Sequence, residues 1–307
     1  MREGFGKAMA ELGQNTPEVV ALTADLGEST RLSNFNKNFP ERFFEVGVAE
    51  QNLIGMATGL ALEGFIPFAT SYATFLPGRC LDQIRISVCY NKANVKLVGS
   101  HGGLTTGPDG ATHQMLEDIA IMRSLPNMAV VVPADEKQAY EATLVLARRK
   151  GPAYLRLSRE RVKSIKRNSN FEFGKIEIIT GGDDVAIFCC GTMVGEALTA
   201  SNYLRREGIN CAVINVHTIK PLDVERVVRT ARYVRGVVTA EDGQYRGGLG
   251  GAIAETLARY HPVPIRYIGM DDKFGESGQP QELMKKYKMT YLDIMHTALN
   301  VFRRTND

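Results

Sequence analysis

The chain has 307 residues, 44% apolar and 23% charged, values of a globular protein of about two domains rather than a disordered or fibrous one. Lys and Arg number 37 against 34 Asp and Glu, a formal charge of +3 that gives no reason to expect a nucleic-acid or membrane-surface partner. No apolar run approaches the roughly 18 residues of a membrane span. The opening Met1-Arg-Glu-Gly4 carries charges where a signal peptide needs an apolar core, so a cytoplasmic location is expected.

In chain order, short buried strands are expected at 19–23 and 43–46. A helix over 50–62 follows from Leu53, Met56, Ala57 and Leu60 at i, i+3, i+4 and i+7. Further strands are expected at 66–68, 95–98, 129–132 and 154–157, with helices around 81–88, 115–123 and 138–148. This rhythm implies a mostly parallel sheet covered by helices. It pauses after Arg159, where Val162 to Asn170 is basic and polar and Gly181-Gly-Asp-Asp184 reads as a turn. Residues 161–182 are therefore expected to be a linker between domains at 1–160 and 183–307. The alternation resumes with strands at 185–190, 211–216, 237–240 and 265–268 and helices at 195–206, 223–232, 250–259 and 289–302. The expected fold class is α/β, with two open, mostly parallel sheets that bind ligands at the carboxyl ends of their strands.

Cys80, Cys89, Cys189, Cys190 and Cys211 show no Cys-x-x-Cys spacing, which argues against a zinc knuckle. Cys189 and Cys190 read as small core residues of a strand. The densest polar segment is Gly99-Ser-His-Gly-Gly-Leu-Thr-Thr-Gly-Pro-Asp-Gly-Ala-Thr-His113. Its five glycines in fifteen positions suit tight turns and close approach to a ligand. His101, Asp109 and His113 on such a loop suit acid, base or hydroxyl-binding roles, against the blander reading of a surface loop. Glu50 taken alone is an ordinary acidic residue at a helix start, favoured by the helix dipole. Tyr72 and Phe75 suit either the holding of a flat ring or core packing. Arg159, just past a strand, suits an anion clamp or a solvated strand end. Gly247-Gly-Leu-Gly-Gly251 fits the dinucleotide fingerprint poorly and reads as a structural loop.

Together, Val48-Ala-Glu-Gln-Asn52, Tyr72-Ala-Thr-Phe-Leu76 with Leu81-Asp-Gln-Ile-Arg85, the 99–113 loop, Leu157-Ser-Arg159 and Thr239-Ala-Glu-Asp-Gly243 resemble the transketolase family of thiamine diphosphate enzymes. The resemblance runs over nearly the whole chain. It implies a pyrimidine-binding domain followed by the family's carboxyl-terminal domain. The Gly-Asp-Gly motif with which a full-length transketolase binds diphosphate and Mg2+ is absent from the sequence. The chain thus looks like the carboxyl-terminal half of a split transketolase. The resemblance implies an amino-terminal partner subunit that carries the diphosphate and metal ligands, and an α2β2 assembly.

The resemblance also implies roles. Glu50 would hydrogen-bond the cofactor's aminopyrimidine and favour the tautomer that deprotonates the thiazolium. Tyr72 and Phe75 would line that ring, with Asp25 as a neighbour. His101, Asp109 and His113 would bind sugar hydroxyls and assist proton transfer, and Arg159, Ser29 and Arg2 would hold a substrate phosphate. The implied activity is two-carbon ketol transfer between ketose and aldose phosphates, as in the pentose phosphate pathway. The resemblance leaves open a 1-deoxyxylulose 5-phosphate synthase, whose loop lacks the Gly-Ser-His101 start. It also leaves open a 2-oxoacid dehydrogenase β subunit, and a non-catalytic subunit of the same fold.

Overall fold

The computed structural model describes residues 1–167 and 169–304. Asn168, in the expected linker, and residues 305–307, at the end of the expected second domain, lie outside the described residues.

The first half runs α1 (Arg2–Asn15), β1 (Val19–Thr23), α2 (Ser33–Asn38), β2 (Phe43–Glu45), α3 (Glu50–Leu62) and β3 (Ile66–Tyr72). It continues with α4 (Leu81–Gln83), which passes into a π-helical stretch (Ile84–Tyr90), then β4 (Lys96–Ser100), 3-10 turns over Leu104–Asp109, α5 (Asp118–Ser124), β5 (Ala129–Val131), α6 (Glu136–Arg148) and β6 (Ala153–Arg156). The second half runs β7 (Glu177–Thr180), β8 (Val185–Cys189), α7 (Met193–Arg206), β9 (Cys211–Asn215), β10 (Thr218–Lys220) and α8 (Val224–Ala231). It closes with β11 (Gly236–Gln244), α9 (Leu249–Tyr260), β12 (Ile265–Met270), α10 (Pro280–Lys286) and α11 (Tyr291–Arg304). Two α/β sheets result, ordered β10-β5-β6-β4-β3-β1-β2 and β12-β11-β8-β9-β7. Every strand pair is parallel except β10 with β5 and β7 with β9. Among the described residues no helix is long and apolar enough to cross a membrane.

Three departures from the expected elements have physical reasons. α1 has no counterpart among them, because Gly4, Gly6 and Gly13 dilute its helix propensity. Gly4 has a packing role: a Cβ there would stand 2.0 Å from the Glu136 carbonyl oxygen, so glycine lets α1 meet the start of α6 backbone to backbone. β7 lies inside the expected linker of 161–182. It is an edge strand whose buried residue is Glu177, so no apolar alternation marks it. β10 follows the expected boundary at 183 yet belongs to the first sheet, with Thr218 opposite Val131. Lys220 secures it by donating to the carbonyls of Arg123 and Leu125, at 2.8 and 2.5 Å.

The core is continuous across the two halves. Leu97 and Tyr154 of the first sheet and Phe188 and Ile214 of the second belong to one buried apolar cluster. All five cysteines are buried and free, and burial pushes the Cys80 and Cys211 thiols up to about 12, as suits small core residues. The glycine run at 247–251, read as a structural loop, instead enters α9, which begins at Leu249. The Glu241 carboxylate accepts from the Leu249 and Gly250 N–H groups at 2.9 and 2.7 Å, satisfying two of the orphan donors of α9.

Candidate active site

Adjacent strands of the first sheet, β6, β4, β3, β1 and β2, deliver the candidate residues beyond their carboxyl ends. Arg159 follows β6 and His101 follows β4. Tyr72 ends β3, with Phe75 one turn later. Asp25 and Ser29 follow β1, and Glu50 follows β2. A parallel sheet concentrates side chains from distant parts of the chain along this edge.

Glu50 is the first residue of α3 and is 3% exposed. Its two carboxylate oxygens accept from one nitrogen, Nη1 of Arg79, at 3.2 and 3.1 Å. The Arg79 guanidinium in turn lies over the Phe75 ring, 3.9 Å from its centroid, a cation–π contact. Tyr72 stacks beside Phe75 with centroids 5.9 Å apart and planes 18° apart. A buried carboxylate thus sits against an aromatic face, with a flat N–H donor between them.

The 99–113 loop closes over this cluster. His101 takes a left-handed φ of 58°, a backbone conformation that costs energy for a residue other than glycine. Its ring lies 3.9 Å from Tyr72, and its Nδ1 shares a hydrogen bond with Ser100 Oγ at 2.9 Å. Burial, reinforced by Arg2 and Arg159, pushes the His101 imidazole down to about 3. His101 is therefore neutral at pH 7, a hydrogen-bonding group rather than a cation. His113 meets Phe75 edge-on at 5.4 Å and hydrogen-bonds Thr112 Oγ1 at 2.9 Å. Thr74 Oγ1 donates to the Thr112 carbonyl at 3.1 Å, which ties the aromatic turn to the loop.

Arg159 and Asp109, expected as separate anion- and hydroxyl-binding groups, form an ion pair at 3.0 Å, each side chain about a third exposed. The same Arg159 nitrogen donates to the Thr106 carbonyl at 2.7 Å. Arg2 is fixed in the first turn of α1. It donates to the carbonyls of Ser29 and Arg159 at 2.8 and 3.2 Å. Ser29 thus meets Arg2 through its backbone, not its hydroxyl. Asp25 also has a left-handed φ, 58°, and its N–H donates to Glu45 Oε1 at 2.7 Å. Among the described residues no hydrogen bond joins Asp25 to Glu50, Tyr72 or Phe75. The structure therefore brings Glu50, Tyr72, Phe75, His101 and His113 together, and sets Arg2, Asp109 and Arg159 along the same edge. The sequence reading missed Arg79, Thr106 and Asp242; the last holds the loop from the second half.

The transketolase pyrimidine binding domain matches residues 1–164, and the transketolase C-terminal domain matches residues 174–294. A Methanocaldococcus jannaschii protein provisionally described as a transketolase C-terminal section is 45% identical, covering 94% of this chain and 91% of its own. The 6-deoxy-6-sulfo-D-fructose transketolase subunit of Clostridium sp. (strain MSTE9) is 41% identical, covering 100% and 95%. A solved structure described as a split-gene transketolase, an inactive beta4 tetramer, superposes with a TM-score of 0.92 at 44% identity and covers 98% of both chains. Fold and edge cluster together define a two-domain α/β protein whose polar and aromatic candidate residues gather at the carboxyl edge of the first sheet. The chain belongs to the transketolase family.

Membership implies dependence on thiamine diphosphate. The residues fit its aminopyrimidine. Arg79, a flat group with N–H donors, already stacks on Phe75 and donates to buried Glu50, the two contacts that such a ring would make. Among the described residues no group of three or more His, Cys, Asp or Glu is placed to hold a metal ion.

Proposed function

We propose that this chain is the carboxyl-terminal subunit of a split transketolase, which transfers a two-carbon ketol unit between ketose and aldose phosphates when paired with an amino-terminal subunit. The observation that carries this reading is the buried Glu50 carboxylate linked through Arg79 to the Phe75 ring face, under a loop that presents His101 and His113.

Thiamine diphosphate, when bound, supplies the electron sink for breaking a bond next to a ketose carbonyl. Glu50 would accept a hydrogen bond from a nitrogen of the aminopyrimidine and hold the proton there, while Phe75 and Tyr72 take the ring face. Asp25, which follows β1 on the same sheet edge, would be a neighbour of this ring. His101, neutral as placed, would bind the sugar hydroxyls together with His113, and the two would move protons at the carbonyl oxygen. Asp109 would accept from a hydroxyl, and Arg159 would clamp the anionic end of the substrate, with Arg2 and Ser29 beside it. The diphosphate and Mg2+ would be held by the partner, in an α2β2 assembly in the cytoplasm. Sugar phosphates of the pentose phosphate interconversions are the first substrates to test. A sulfonated ketose belongs in the same panel, because a guanidinium recognises sulfonate and phosphate by the same geometry.

The test is reconstitution. The chain is mixed with a similar-sized partner containing Gly-Asp-Gly, thiamine diphosphate and Mg2+, and ketol transfer is followed over the substrate panel. Transfer by the pair and none by the chain alone is expected. Full activity of the chain alone, or none from the pair on any ketose, overturns the reading.

A further inference from the structure

We propose that Asp242, which lies in the second sheet, is the positioning residue of the 99–113 loop, so that the second domain sets the shape of the substrate site without touching substrate. This inference rests on the proposed function for the chemistry of the loop, but not for its geometry.

Asp242 lies in β11 and is 2% exposed. Its carboxylate reaches across to the first domain. Oδ1 accepts from the Leu104 N–H at 2.7 Å and Oδ2 from the Thr105 hydroxyl at 2.5 Å. The approach requires Gly103, since a Cβ there would stand 2.3 Å from Oδ2, and the Gly103 φ of 102° also suits only glycine. One residue further on, Thr106 is the hub of the site. Its hydroxyl donates to the His101 carbonyl at 2.6 Å, and its own carbonyl accepts from Arg159 at 2.7 Å. Fixing 104 and 105 therefore fixes the residue that sets both His101 and Arg159.

Thr192 Oγ1 also donates to the carboxylate, to Oδ2 at 3.5 Å, and the backbone that carries it is itself held. Arg156, 4% exposed, donates to the Asp242 carbonyl at 2.7 Å and to Asp118 Oδ2 at 2.8 Å. A buried carboxylate is costly unless it is paired and hydrogen-bonded. Adhesion between the domains does not need one here, since Gln114 with the Glu276 carbonyl and Arg123 with Glu255 also join the halves. What Asp242 alone provides is a rigid acceptor for two adjacent donors at the start of the loop.

The test is amide hydrogen exchange on the full chain alone, comparing wild type with T105V, T105S and D242N. T105V removes one donor while keeping the side-chain shape. It should speed exchange of amides in 101–113 at least tenfold, leave β8 and β9 unchanged, and be rescued by T105S. D242N should speed the same segment further. Unchanged exchange in 101–113 for T105V, or equal acceleration over the whole chain, overturns the proposal, and T105V decides the matter even where D242N fails to fold. In the reconstituted pair, T105V should lower kcat more than it raises KM for the ketose, with T105S restoring kcat. A wild-type pair without activity would count against the proposed function while the exchange result still judged Asp242.

Discussion

A single nitrogen of Arg79 donates to both oxygens of Glu50, and that shared nitrogen is the only side-chain partner found for the buried carboxylate among the described residues. Arg79→Ala would leave Glu50 enclosed without a donor. An unsatisfied buried acceptor costs about 1–3 kcal/mol, and Arg79 is half-exposed, so water repays part of this. A stability loss toward the lower end of that range is expected in urea unfolding of the full chain, and a loss below the error of the fit would show that the pair does not hold the site together.

Glu50→Gln separates chemistry from folding. The amide keeps the shape and an acceptor oxygen, so unfolding free energy should change by less than about 1 kcal/mol. Turnover of the reconstituted enzyme should nevertheless fall by two orders of magnitude or more, because a neutral amide cannot draw a proton onto the ring. Near-normal turnover would remove Glu50 from its proposed role.

Arg159→Ala should act on binding rather than on chemistry. It deletes a charge remote from the reacting carbon, so KM for phosphorylated or sulfonated ketoses should rise tenfold or more, with a smaller change in kcat. Steady-state kinetics on charged and uncharged ketoses check this. The same rise for an uncharged ketose would mean that the loss of the Thr106 and Asp109 contacts, not of anion binding, is responsible.

Stability should carry an acid signature from His217. Its imidazole is 2% exposed, and burial, then Arg167, pushes it down to about 3 from 6.5. The unfolded chain therefore binds a proton below about 6.5 that the folded chain refuses. The contribution is fully present above that pH and is lost as pH falls toward 3, at about 1.4 kcal/mol per pH unit. His217→Gln should flatten the dependence of unfolding free energy on pH between 6.5 and 4.5 by close to one proton. Parallel curves for wild type and variant would contradict the assigned burial effect. Comparing the two chains cancels the carboxylates whose burial works in the opposite direction, such as Glu241 and Glu196.

The sequence was most legible where signals are local. Leu53, Met56, Ala57 and Leu60 mark α3, and its observed bounds, Glu50–Leu62, coincide with the expected 50–62. The glycine-rich loop is equally visible as composition. What stays hidden is contact between remote positions. Arg79 is 29 residues from Glu50, and Asp242 is 138 from Leu104, so no periodicity links either pair. Ser29 shows another limit, since the residue type suggests a hydroxyl role while the observed contact to Arg2 uses its carbonyl. β7 and β10 were illegible because neither carries an apolar run or alternation: the buried residue of β7 is Glu177, and β10 offers one apolar residue, Ile219, between Thr218 and Lys220.

β10 makes the two halves interlock rather than adjoin. A fragment cut at residue 182 would lose the strand that covers β5 and would expose a raw sheet edge of the kind that seeds aggregation. Its complement would keep Thr218–Lys220 with no sheet to join. Swapping modules between relatives at the apparent linker would therefore transplant one strand of the neighbour's sheet, and a shortened form that preserves the first sheet has to extend through Lys220.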